Sequence, residues 1–262
     1  MRWRDPSGES DQDYVFASAG WSTRDRRDYR LTKAKVRGGR PFDPVYVNSR
    51  YIVSLQDNGS ATGVAFDAET GAMQHADAQG RYTRVWGMVE VADGVVFVGL
   101  RDPLVLGFFD GRSPARTIRV AETGDDRHGV WDVAVDRSRG DVLVWREADR
   151  RPNGATNVSL WTAPYQSNGG AVVPRRVTDL PDEVSIARVV ANAGVALMHY
   201  TEQEAMLVRL SDGKRWRVPT QPGVKIADPL WVDDNDVWLM TTTRHRSQTD
   251  GILRIARRTL ID

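Results

Sequence analysis

Charged side chains are the first candidates for chemistry in this chain. Three stretches concentrate arginine. Ser22–Asp28 holds Arg24, Arg26 and Arg27. Arg146–Asn153 holds Arg146, Arg150 and Arg151, and Thr243–Asp250 holds Arg244, His245 and Arg246. A guanidinium is a planar fork of donors that grips carboxylate or phosphate through two parallel hydrogen bonds. These nine residues are therefore candidates for binding an anionic partner. Acids are interleaved with them: Asp25, Asp28, Glu147 and Asp149. The alternative reading is a set of solvated loops with local ion pairs, which contribute little when exposed.

Other groups offer less. The run Asp233-Asp234-Asn235-Asp236 could ligate a hard cation, or form a polar turn. It lacks the glycine and terminal glutamate of a calcium loop. His75, His128, His199 and His245 have no zinc-like spacing. There is no Gly-x-Ser-x-Gly and no phosphate-binding glycine loop. No metal site and no cofactor are expected.

Composition narrows the classes further. The 262 residues contain no cysteine, which excludes disulfide scaffolds, thiolate metal sites and cysteine nucleophiles. Basic residues number 36 and acidic ones 35, a net charge of +1. Nucleic acid is not an expected partner, because no basic excess covers the chain. Only four basic residues are lysine: Lys33, Lys35, Lys214 and Lys225. The first thirteen residues are polar, with no apolar core of a signal peptide, and no apolar run reaches membrane-span length. The chain is expected to be soluble and monomeric. Its compartment stays open, extracytoplasmic if an export segment has been removed.

The elements that must position these groups are strands. No stretch keeps an i, i+3, i+4, i+7 pattern over three turns. Short alternating or β-branched runs, separated by Gly, Asp, Asn and Pro, dominate. They recur as strand, tight turn, strand. Asp43-Pro44-Val45-Tyr46-Val47 and its partner match Asp228-Pro229-Leu230-Trp231-Val232 and its partner. Related hairpins start near Val85, Val130 and Ala187. The repeat is roughly 40 to 55 residues, the period of a four-stranded propeller blade. Third strands follow, as in Gly63–Gly71, Leu106–Gly111, Val158–Trp161, Met206–Lys214 and Ile252–Ile255. Three of them end in an Asp before a Gly turn, at Asp67–Gly71, Asp110-Gly111 and Asp212-Gly213, where the carboxylate can cap backbone N–H groups and Gly takes a positive φ. Residues 14–36 read as the second and third strands of a partial or ring-closing blade without an innermost strand. The chain is thus expected to be all-β, a single β-propeller of five or six four-stranded blades over residues 1–262. In such a fold the three arginine-rich connections share one face.

At Ala65-Phe66-Asp67-Ala68-Glu69-Thr70-Gly71 the chain resembles quinoprotein-type and related bacterial propeller repeats, which carry an apolar-aromatic-Asp-x-x-Thr-Gly turn. The quinone and calcium ligands of that group have no matching positions here. The Asp-Pro pairs at Asp43 and Asp228 resemble the opening of five-bladed glycosidases of the arabinanase and xylosidase group. That resemblance implies an Asp base, a second Asp and a Glu acid at Asp43, Asp132 and Glu183. An inverting mechanism would need two carboxyls about 6.5–9.5 Å apart around a water. The bland alternative is that Asp and Pro lead the chain into a strand.

Two functions follow. The leading one is a non-catalytic propeller that binds a protein segment or an anionic small molecule on the arginine-bearing face. The other is a glycoside hydrolase using Asp43, Asp132 and Glu183.

Overall fold

In the computed structural model, the residues described are 3–4, 11–18, 30–37, 40–47, 50–57, 60–67, 73–76, 84–100, 105–120, 129–138, 140–150, 156–181, 188–243 and 250–261. They form antiparallel meanders, each a run of consecutive strands. The first sheet contains β1 (Trp3–Arg4), β2 (Asp11–Ser18) and β3 (Arg30–Arg37). The second contains β4 (Arg40–Val47), β5 (Arg50–Asp57), β6 (Ser60–Asp67) and β7 (Met73–Ala76). The third contains β8 (Arg84–Val91), β9 (Gly94–Leu100), β10 (Val105–Phe109) and β11 (Arg116–Val120). The fourth contains β12 (Gly129–Asp136), β13 (Val142–Arg150), β14 (Thr156–Pro164) and β15 (Arg175–Leu180). The fifth contains β16 (Val189–Asn192), β17 (Val195–His199), β18 (Glu204–Arg209) and β19 (Arg215–Pro219). The last contains only β20 (Lys225–Val232), β21 (Asp236–Thr242) and β22 (Gly251–Ala256), followed by the short helix α1 (Arg258–Ile261).

This repeated four-stranded meander is the blade of a β-propeller, and the fold class is that one. The five hairpins read from the sequence are β4–β5, β8–β9, β12–β13, β16–β17 and β20–β21. The N-terminal pair is β2–β3, and β1 pairs with β2 on its far side, supplying a strand that the sequence pattern did not reveal.

Contacts divide the chain into two units. One comprises Met1–Arg101, Leu106–Ile118 and Ser167–Gly169; the other comprises Asp102–Val105, Arg119–Gln166 and Gly170–Asp262. In the first, Phe109 lies against Gly63, where a Cβ would come within 3.1 Å of the ring. In the second, Val144, Leu160, Ala191, Met198, Met206 and Val208 join the fourth and fifth sheets in one buried cluster. Leu197, Leu207, Val218, Ile226, Val237 and Leu239 join the fifth to the last. Burying each such side chain is worth about 1.5–3 kcal/mol.

The turns follow their residue chemistry. Ala193 (φ 52°) and Gly194 (φ 73°) bridge Asn192 and Val195, with both central residues in the left-handed region that a two-residue hairpin loop of matching twist demands. Asp110 accepts hydrogen bonds from the N–H groups of Arg112 (2.8 Å) and Ser113 (2.7 Å) across Gly111. Asp212 accepts one from Lys214 N–H (3.1 Å) across Gly213. Among the described residues no helix is long and apolar enough to cross a membrane.

Candidate functional site

Four innermost strands share an irregularity. The pairing register shifts between Phe42 and Val45, between Trp86 and Val89, between Val130 and Asp132, and between Ile226 and Asp228. A bulge of this kind bends the strand and re-aims one side chain. The residues at or beside it are Asp43, Gly87, Asp132 and Asp228. In the fifth sheet the innermost strand begins at Val189, and the residue before it is Arg188.

In the second unit these positions hold a charge cluster. Asp132 is buried, and its oxygens serve backbone donors of two sheets. Its Oδ1 accepts the N–H of Val133 (2.9 Å), and its Oδ2 accepts the N–H of Val189, the first residue of β16. Arg146, fully buried in β13, places a guanidinium nitrogen 3.7 Å from the same Oδ2. Burial pushes the Asp132 carboxyl upward against the pull of Arg146 and the two amides, and burial likewise lowers Arg146. Both shifts say that the pair is expensive to desolvate and holds through mutual compensation.

Asp228 completes the cluster from β20. Burial, set against the attraction of Arg188, raises its pKa from 3.8 to about 6; Asp132 adds repulsion and Arg146 adds attraction. Its Oδ1 is buried and accepts no hydrogen bond among the described residues. Arg188 is exposed at the edge of the cluster. Asp132 thus ties the fourth sheet to the fifth, and Asp228 of the last sheet lies near enough for its charge to be felt by the same acid and arginines.

A second tie lies at the other end of β12. Asp136, four residues on from Asp132, accepts the N–H of Gly194 (2.8 Å) in the next sheet's turn. It also accepts the N–H (2.9 Å) and hydroxyl (2.6 Å) of Ser138. Asp132 and Asp136 together clasp both ends of the neighbouring inner hairpin.

The sequence-derived candidates distribute as follows. Arg24, Arg26, Arg27, Arg151, Arg244, His245 and Arg246 lie outside the described residues, as does Glu183. Asp43 and Arg150 lie in β4 and β13, and their side chains are outside the described set. Arg146 requires a correction. It was expected on a loop, but β13 runs through Arg150, and Arg146 pairs with Asp132 inside the sheet. The reason is compensation by a carboxylate 14 positions away, which local composition does not display. Glu147 is likewise in the strand. Arg119 donates to it through Nε (3.0 Å) and a terminal nitrogen (3.2 Å), and the Trp145 indole donates as well (2.8 Å). Arg119 also stacks over Trp161, 5.6 Å from the ring centre.

Asp228 and Arg188 were not expected to act together. The signal was present: Asp132-Val133, Arg188-Val189 and Asp228-Pro229 occupy the same place in three successive hairpins. The run at Asp233 is a turn. Its first carboxylate accepts the N–H groups of Asn235 and Asp236 (both 2.8 Å), and Asp236 pairs with Arg254 at 2.6 Å.

No protein-family model matches the chain, and no curated protein matches it. Among the solved structures that resemble it distantly, BamB from Moraxella catarrhalis is 13% identical, with 94% of this chain and 71% of that one covered and a TM-score of 0.47. Apo AztD from Citrobacter koseri is 12% identical, with 89% and 60% covered and a TM-score of 0.49. The catalytic domain of a Coprinopsis cinerea GH62 α-L-arabinofuranosidase is 11% identical, with 81% and 80% covered and a TM-score of 0.32. The propeller assignment rests on the repeated meander itself.

Proposed function

We propose that this chain is a non-catalytic binding propeller whose arginine-rich connections take an acidic protein segment or another anionic ligand. One observation carries the choice against hydrolysis. Asp132 is the one member of the glycosidase-like trio whose side chain is described, and both of its oxygens are committed to backbone amides and Arg146. A buried carboxylate that accepts one backbone amide on each oxygen and lies beside a buried guanidinium is placed to hold the fold. It joins two sheets. The chain acts as a monomer in this reading.

Binding of a fluorescein-labelled polyglutamate, followed by anisotropy, tests the proposal. The wild-type chain is expected to bind, with affinity falling as salt screens the contacts. A variant with Arg26, Arg27, Arg150, Arg151, Arg244 and Arg246 changed to Ala is expected to bind at least about tenfold more weakly, given the strength of charge-assisted pairs. Equal binding by the variant contradicts the proposal. So does turnover of nitrophenyl arabinosides or xylosides that Asp132→Asn abolishes.

A further inference from the structure

The last sheet stops at three strands. The four sheets before it, from β4 to β19, each have four. β22 pairs with β21 through Thr241↔Gly251 to Asp236↔Ala256, and among the described residues no strand pairs with its other side. The side chains of β22 alternate. Leu253 and Ile255 pack onto the buried cluster shared with the fifth sheet. Ile252 is 63% exposed, and the Arg254 side chain is 61% exposed. A cross-strand row runs over the outer face from Trp231 (48% exposed) to Trp238 to Arg254, whose guanidinium lies 5.3 Å from the Trp238 ring centre.

The complete sheets show what occupies the fourth position. β11, β15 and β19 are five or six residues long, and each buries an apolar side chain: Ile118, Leu180 and Val218. A strand added beside β22 meets two further conditions. It needs apolar residues level with Leu253 and Ile255, to extend the same inner face. Arg254 already gives one guanidinium nitrogen to Asp236 (2.6 Å), and an acid level with it would take further donors of the same fork, where a like charge would be repelled.

We propose that the free edge of β22 is a docking site for an extended, antiparallel partner segment reading apolar-acid-apolar-apolar, which adds as the fourth strand of the last sheet. Main-chain hydrogen bonds supply affinity in such strand addition, and alternate side chains supply selectivity. A second copy of this chain is the poorer occupant. Two-fold pairing centred on the exposed Arg254 sets one guanidinium directly opposite the other. The proposal does not depend on the arginine-rich connections, which concern other residues.

The test uses the full chain and a fluorescein-labelled nonapeptide with the central run Val-Glu-Val-Val. Binding by anisotropy and slowed amide exchange at residues 251–256 are the expected results. A Val-Lys-Val-Val peptide is expected to bind about tenfold more weakly, since the charge opposite Arg254 is reversed. Arg254→Glu is expected to invert that preference, and should this variant not fold, the two peptides on the wild-type chain decide the question alone. The variant with the six loop arginines removed is expected to bind the acidic peptide unchanged. Loss of binding there shows that the loops held the peptide, and it overturns the proposal. So does equal binding of a peptide N-methylated at the amides that would face β22. So does a dimer in sedimentation whose exchange at 251–256 is already slowed without peptide.

Discussion

Asp132 holds a backbone amide of its own strand, a backbone amide of the next sheet and a buried guanidinium. Removing it by Asp132→Ala leaves Arg146 charged and uncompensated inside the fold. The expected loss is about 3–5 kcal/mol, read as a lower urea midpoint. Asp228 works in the opposite sense. Its carboxyl titrates near 6 in the fold and near 3.8 when unfolded, so the folded state holds the proton more tightly. Its charged form therefore costs stability above about pH 6, and the cost disappears as pH falls through 4. Asp228→Asn is expected to stabilise the chain at pH 7.5 by about 1 kcal/mol, a figure reduced for its partial solvent exposure. The advantage should vanish at pH 4, and parallel denaturation curves at the two pH values check this. The residue types at this level were legible in the sequence, since Asp43 and Asp228 stand out as twins. Their roles were not. Whether an acid bonds an amide, an arginine or a ligand depends on strands that are distant along the chain.

Strands and turns were the most legible level, because period-two patterning and Gly-containing turns are local physics. The hairpin at Asn192–Val195 and the Asp-Gly turn at Asp212 formed where their residues indicated. The two glycines there separate two effects. Gly194 has φ +73° with open space around the position of a Cβ, so Gly194→Ala is expected to cost about 1 kcal/mol through backbone strain alone. Gly213 has φ +74°, and its Cβ would sit 2.7 Å from the Val177 carbonyl oxygen and 3.0 Å from Thr178 Cβ. Gly213→Ala is expected to cost more, about 2–3 kcal/mol, because a rigid neighbouring strand has to shift. Thermal melts of the two variants rank them. The level at which sequence reading failed was β13. Arg146 to Arg150 look like a loop because four of the five residues carry charge, yet Arg146 and Glu147 are buried. Their partners, Asp132 and Arg119, lie 14 and 28 positions away.

At the scale of the whole molecule, the near-neutral charge conceals specialised use of arginine. Some arginines are consumed by the fold: Arg146 inside a sheet, Arg119 on Glu147 and Trp161, Arg257 on the carbonyl of Asp233. The blade repeat was readable from the sequence, but the partition of arginine between structure and surface was not, since it follows from which carboxylates the sheets bring near. The arginines of the three connections are those proposed to meet a partner. Hydrogen exchange followed by mass spectrometry, with and without polyglutamate, locates that encounter directly. The expected result is slowed exchange confined to residues 22–28, 151–153 and 243–250, reversed by high salt. Protection elsewhere, or none at saturating polyglutamate, would contradict binding through these connections.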